Sequence, residues 1–521
     1  MADRRYHLRS PSRERKKGHD PRSALLRMTK DETRAANVPQ MQSGAPAALI
    51  LSEAYTAEEA VNRVGIGRFQ IKLIVLSGFV WMAKGFDLVV SVFINSLMSC
   101  EWNLVKWQSA LMVTLTTLFT ILGSIVHGIW ADKYGRRTAL SSALIFMFVF
   151  GAVSVGVPSY TWFLVFRTIS AFSLGGFSQA VTLCSEFIPG RYRGRFIFIL
   201  SCFFAVGVIL MLGILYATTR PGHFYWRLFT AIATVPALIA MIMMRFFPES
   251  IRFLLVNEEY VSARCIADEM SSDNRKPLPR GQLFPVRNAG KRGNCCRLLE
   301  PIHMRSTLLF WYMGIAAGMS YYFLIEVSSL YLSDVQSNIE EIHSAAHSFM
   351  GNLSQPVECL KNITDAQYLR ILWTNALDFP GFVVFMIVVD VIDRKKLLCA
   401  SCLICSLFIF LLFLPTGDLV MRAGFLFCSR TLLLGEMNML LLMAAEAYPT
   451  TERGIAVGMQ TVALYVGFFI TPYVEEGLLM LGFRWVVGFS GVIMFLSAIA
   501  AAFLTWETRG MELMDLIEDR S

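Results

Sequence analysis

Twelve apolar runs, separated mostly by short polar stretches, organise residues 70–505 of this 521-residue chain. The first six lie at about 70–97, 106–130, 138–156, 160–184, 195–217 and 228–247. After a polar stretch at 248–304, six more lie at about 305–331, 368–389, 397–414, 419–445, 455–479 and 484–505. Each approaches or exceeds the ~20 residues with which a helix crosses a bilayer. The pattern predicts an all-α membrane protein with twelve transmembrane helices. Residues 1–69 read as a disordered basic tail with a short amphipathic piece near Glu58–Arg68, and Glu507–Ser521 as an acidic tail. The first apolar run is long and follows a polar tail, which argues against a cleavable signal peptide.

Composition sharpens this reading. Charged residues make up only 17% of the chain, against about 25% in a soluble protein. Mean hydropathy is +0.52. The net charge of +8 owes much to Arg4, Arg5, Arg9, Arg13, Arg15, Lys16 and Lys17, which suit a cytosolic tail better than nucleic-acid binding. The eleven Cys have no metal-ligand spacing. No phosphate-cradling Gly-Lys-Ser/Thr loop occurs. The chain is therefore expected to carry no cofactor or metal and to be no enzyme; its expected surroundings are a lipid bilayer and a small-molecule solute. Its oligomeric state is not legible.

Loop charges give an orientation. The loops holding Lys133, Arg136 and Arg137, then Arg191, Arg193 and Arg195, then Arg394, Lys395 and Lys396 are basic. These loops, the 248–304 linker and both termini are expected to be cytosolic. The stretch 332–367 falls on the other side, and there Asn352-Leu-Ser354 and Asn362-Ile-Thr364 are N-glycosylation acceptors.

The two halves repeat. Glu186-Phe-Ile-Pro189 with Arg193-Gly194 recurs as Glu446-Ala-Tyr-Pro449 with Arg453-Gly454; Asp132 recurs as Asp390, and Glu249 as Glu507. The chain thus reads as a six-helix half at 70–247, a cytosolic linker at 248–304 and a second half at 305–506. Asp132, Arg136, Arg137, Glu186, Arg193, Asp390, Glu446 and Arg453 are candidates for a cytosolic gate. Glu186 is expected to pair with Arg193 and Glu446 with Arg453; the alternative is that these charges only set topology.

The loop Gly128-Ile-Trp-Ala-Asp-Lys-Tyr-Gly-Arg-Arg137 resembles that between helices 2 and 3 of the major facilitator superfamily. Cys100-Glu-Trp-Asn-Leu-Val-Lys-Trp107, Val181-Thr-Leu-Cys-Ser-Glu-Phe-Ile-Pro189 and Leu372-Trp-Thr-Asn-Ala-Leu-Asp-Phe-Pro-Gly381 are similar to strings of its synaptic vesicle glycoprotein 2-related transporters. The resemblance covers about 58–510. It implies the superfamily fold and a vesicle or plasma membrane, and names no substrate. Against that pattern, Lys84 stands where relatives carry an acid, Asp87 where they carry Glu, Asp393 where Gly is expected, Trp506 where Pro is, and Glu326 where an apolar residue is usual.

Ionisable residues inside a membrane are costly and mark function. Lys84 and Asp87 are three apart on one helix face, so they read either as a self-neutralising bridge or as a site where Asp87 receives a cation or proton. Glu326, on the repeat-related helix, suits a proton carrier in the same cavity. Arg167 and Arg430 either bind an anionic solute or brace helices; Asp378 and Glu436 complete the set. The function expected is secondary active or facilitative transport of a small organic, optionally charged, solute by alternating access, with protons as a candidate coupling ion. The competing class is a receptor or vesicle scaffold that kept the fold.

Overall fold

The computed structural model describes residues 54–220, 223–283, 293, 295–332, 365–413, 419–479 and 481–514. The two sequons at Asn352 and Asn362 lie outside the described residues, as does the side chain of Glu326. The chain divides into a small unit, Met1–Ala57 with Pro279–Phe284, and a large one comprising Glu58–Leu278 and Pro285–Ser521. In the small unit, β1 (Ala54–Tyr55) pairs in parallel with Gln282–Leu283, Ala54 opposite Gln282.

The large unit is a helical bundle. Its first half runs from the short helix α1 (Ala57–Val64) through α2 (Arg68–Trp102), α3 (Lys106–Tyr134) and α4 (Arg136–Val155). The fourth pass is α5 (Tyr160–Phe172) and α6 (Gln179–Phe187), divided by a 3-10 segment at Ser173–Ser178; α7 (Arg193–Thr218), α8 (Trp226–Ala233) and α9 (Val235–Met243) follow. Helices α10 (Ile251–Val256) and α11 (Tyr260–Asn274) order part of what reads as a plain polar linker. The second half comprises α12 (Pro301–Leu332), α13 (Asp365–Ala376), α14 (Asp378–Val388), α15 (Arg394–Leu411), α16 (Leu419–Ala447), α17 (Arg453–Leu479) and α18 (Phe483–Ala502).

Among the described residues, ten spans in these helices are long and apolar enough to cross a membrane by length and composition. Two apolar runs complete the twelve-helix order: the divided fourth pass, and α15, whose first turn carries Arg394, Lys395 and Lys396. Interruptions have local causes. Pro236 follows the break between α8 and α9, and Pro380 follows that between α13 and α14, where each lacks the N–H a continuous helix needs. At Ser173–Ser178 the backbone lies so close to α3 that a Cβ on Gly175 would stand 2.1 Å from the Ser124 nitrogen. Such close approach of small residues is how helices associate where lipid removes the hydrophobic drive.

Candidate functional site

One end of the bundle gathers the termini of α3, α4, α6, α7, α15, α16 and α17 into a buried charge network. Asp132, at the end of α3, accepts from the backbone N–H of Gly454 (2.9 Å) and of Ile455 (2.8 Å), the first turn of α17. Free N–H groups and the helix dipole favour a carboxylate there. Asp390 does the same for the first turn of α7, accepting from Gly194 N–H (3.2 Å) and Arg195 N–H (3.0 Å). Each half of the chain thus caps a helix of the other half. Both contacts require glycine: a Cβ on Gly454 would lie 2.7 Å from Asp132 Oδ1, and one on Gly194 2.5 Å from Asp390 Oδ1.

The arginine–glutamate pairs are also crossed, which corrects the pairing expected from sequence. Arg453 Nη1 meets Glu186 Oε1 at 2.7 Å, and Arg193 Nη1 meets Glu446 Oε1 at 3.4 Å. Glu186 and Arg193 stand seven residues apart around one turn, but the α17 terminus brings Arg453 to Glu186 first, while Arg193 turns to α16. Arg136 Nε adds a contact to Glu186 at 3.5 Å, and its Nη2 donates to the Thr450 carbonyl at 2.5 Å. Its repeat mate Arg394 pairs with Glu446. The five side chains Arg136, Arg193, Arg394, Arg453 and Glu186 are each at most 4% exposed as residues. Arg137 differs: its side chain reaches the Arg245 carbonyl at 3.5 Å, away from these pairs.

Several members had no functional role in the sequence reading. Glu249 accepts from the N–H of Arg136 (2.9 Å) and Arg137, capping α4; Glu507 accepts from the N–H of Arg394 (2.9 Å) and Lys395 (3.1 Å), capping α15. The recurrence of Glu249 as Glu507 was the available signal. Burial pushes the Glu249 carboxyl up from its usual range, opposed by the N–H groups and Arg136. Glu58 on α1 bridges Arg193 (3.3 Å) and Arg252. The segment after α18 closes the set: the carbonyls of Leu513 and Met514 accept from Arg252 (2.9 Å) and Arg453 (3.1 Å). Asp393 stands apart and half-buried, where the hydrogen bond from Lys396 holds its carboxyl below the usual range.

In the interior the candidate charges sort into two ion pairs and two groups outside them. Asp87 does not bridge to Lys84. Its carboxylate pairs with Arg167 Nη1 at 2.7 Å, and Arg167 Nη2 donates to Ser91 Oγ at 3.0 Å. In the second half, Arg430 Nη2 meets Asp378 Oδ2 at 2.8 Å and Asn375 Oδ1 at 2.7 Å, with Tyr321 beneath its guanidinium. Both arginines thus join neighbouring helices through buried carboxylates. Glu436, 1% exposed, lies beside Ser401 and Cys402 of α15. Lys84 stands 5.0 Å over the Trp81 ring and, among the described residues, has no carboxylate partner.

The family described as Sugar (and other) transporter is matched by residues 73–313, and that described as Major Facilitator Superfamily by residues 376–512. Synaptic vesicle 2-related protein of Xenopus laevis is 30% identical over 464 residues, covering 89% of this chain and 83% of the relative. That of Rattus norvegicus is 29% identical over 463 residues, with the same coverage. Among solved structures, the proton:xylose symporter XylE bound to 6-bromo-6-deoxy-D-glucose is similar at a TM-score of 0.64 and 17% identity, covering 85% of this chain and 98% of that one.

Proposed function

Since this chain belongs to the major facilitator superfamily, in its group of synaptic vesicle 2-related proteins, we propose that it carries a small organic solute across a vesicle membrane by rocking two six-helix halves. It is a multi-pass membrane protein and a transmembrane transporter. The halves are 70–247 and 305–506, and the charged end, the 248–304 linker and both termini face the cytosol. One observation carries the mechanism: the acids that cap α17 and α7 each come from the opposite half. Such contacts can all break together when the halves separate, and re-form when they close. Asp132, Arg136, Glu186, Arg193, Asp390, Glu446 and Arg453 act as this gate.

The coupling ion, a cation or a proton, acts at the Asp87–Arg167 pair that joins α2 to α5, and the structural relative is named as a proton symporter. The test is uptake from a metabolite mixture by vesicles holding the purified protein, with and without an imposed pH gradient. At least one solute should accumulate faster than in empty vesicles and respond to the gradient. Folded protein that moves none would sink the reading.

The orientation has its own check. Glycosidase should speed the migration of the wild type and leave the Asn352→Gln/Asn362→Gln protein unchanged. A shift in the double variant would place glycans elsewhere and overturn the topology.

A further inference from the structure

We infer that Lys84 and Trp81 form the anchor for the carboxylate of an organic anion, an inference that rests on the transporter reading above and names the solute class. Lys84 is a half-buried cation inside a membrane-spanning helix, and a charge there normally has a counter-ion. Among the described residues it has none, because the acid three residues on is held by Arg167 at 2.7 Å. Its ammonium rests over the Trp81 ring. Among the described residues the Trp81 indole N–H is itself unpartnered, although the residue is only 4% exposed. Two neighbouring donors with no acceptor describe a receptor that waits for one.

The placement turns this receptor inward. Lys84 is nine residues, two and a half turns, from Val75, which is 40% exposed. It therefore lies on the opposite side of α2 from that outward face. Ser77 and Ser91 flank it at two turns on either side. Ser77 accepts from Cys184 of α6 at 3.2 Å, and Ser91 from Arg167 of α5 at 3.0 Å. Lys84 thus faces the divided fourth pass, between those two contacts, at the level where the pass is interrupted by Ser173–Ser178. A helix interruption at membrane depth is where carriers build solute sites. An inward-facing residue that is still partly accessible faces an opening between helices. An ammonium and a neutral indole N–H match a monoanionic carboxylate with two oxygens, and neither neutral nor cationic solutes supply the missing charge.

The experiment measures thermal unfolding of the purified full-length protein with benzoate, succinate or glucose 6-phosphate, against benzyl alcohol and choline. Ligand bound to the folded state raises the melting temperature in a concentration-dependent way. Benzoate or succinate should stabilise the wild type, and benzyl alcohol and choline should not. Lys84→Met should weaken the carboxylate effect roughly 10- to 100-fold in concentration, the loss expected of a hydrogen bond to a charged group. Lys84→Arg should retain it in part. Trp81→Phe, which keeps the ring under Lys84, should weaken it less. Without ligand, Lys84→Met should melt at or above the wild-type temperature, because it removes an uncompensated cation. A lowered melting temperature with an unchanged carboxylate effect would make Lys84 structural and overturn the inference. So would stabilisation only by glucose 6-phosphate, by the neutral or cationic probes, or by none. In the vesicle assay, uptake confined to neutral or cationic solutes would overturn the anchor and leave the transporter reading intact; no uptake of any solute would overturn that reading itself.

Discussion

Glu186→Gln is expected to unlock the charged end of the bundle and to destabilise the protein by about 3–5 kcal/mol, the usual cost of leaving buried charges without their partner. Two guanidinium groups depend on this carboxylate, Arg453 at 2.7 Å and Arg136 at 3.5 Å. Both are buried, so water cannot replace it cheaply. A cysteine placed beneath the network should become accessible from the basic side in the variant and stay protected in the wild type. The partner can be identified separately. In double-mutant cycles, Glu186→Gln should couple strongly to Arg453→Gln and hardly to Arg193→Gln. The reverse result would restore pairing within one half and remove the structural basis for a gate that opens as a unit.

That test turns on what the sequence could not encode directly. The twelve apolar runs were legible because a bilayer demands a continuous apolar length, and the details between them matter little to it. The repeat landmarks Asp132/Asp390, Glu186/Glu446 and Glu249/Glu507 marked correctly where charge recurs. Their partners were not legible. Local spacing favours Glu186 with Arg193, but the partner is chosen by which helix terminus the closed bundle brings within reach. Likewise Gly175-Gly176 and the two prolines were visible, yet the apolar runs at 160–184, 228–247 and 368–389 hid the interruptions because hydropathy is blind to a single broken hydrogen bond. Glu58 was legible only as part of an amphipathic piece, since its role needs Arg193 and Arg252, both far along the chain.

The interior brace offers the sharper lesson in direction. Lys84 and Asp87 share a helix face, so spacing alone suggests a bridge. Helical side chains, however, lean toward the N-terminus. Lys84 leans back over Trp81, away from Asp87, and acid-before-base is the more favourable order for a local pair. Asp87 is left for Arg167 of α5. Asp87→Asn should therefore strand Arg167, and Arg167→Met should strand Asp87, each at a cost of about 3–5 kcal/mol and a large fall in the yield of folded protein. The double replacement Asp87→Leu/Arg167→Met should recover most of that yield, because well-packed apolar residues often replace a buried ion pair without loss. If the Asp87–Arg167 pair is where the coupling ion acts, the recovered double variant should still fold and bind but lose its response to a pH gradient. Adding Lys84→Met to Asp87→Asn should recover nothing, because Lys84 is not the partner. Recovery in that pair, with none in Asp87→Leu/Arg167→Met, would return Asp87 to Lys84 and dissolve both the brace and the free cation on which the anion anchor depends.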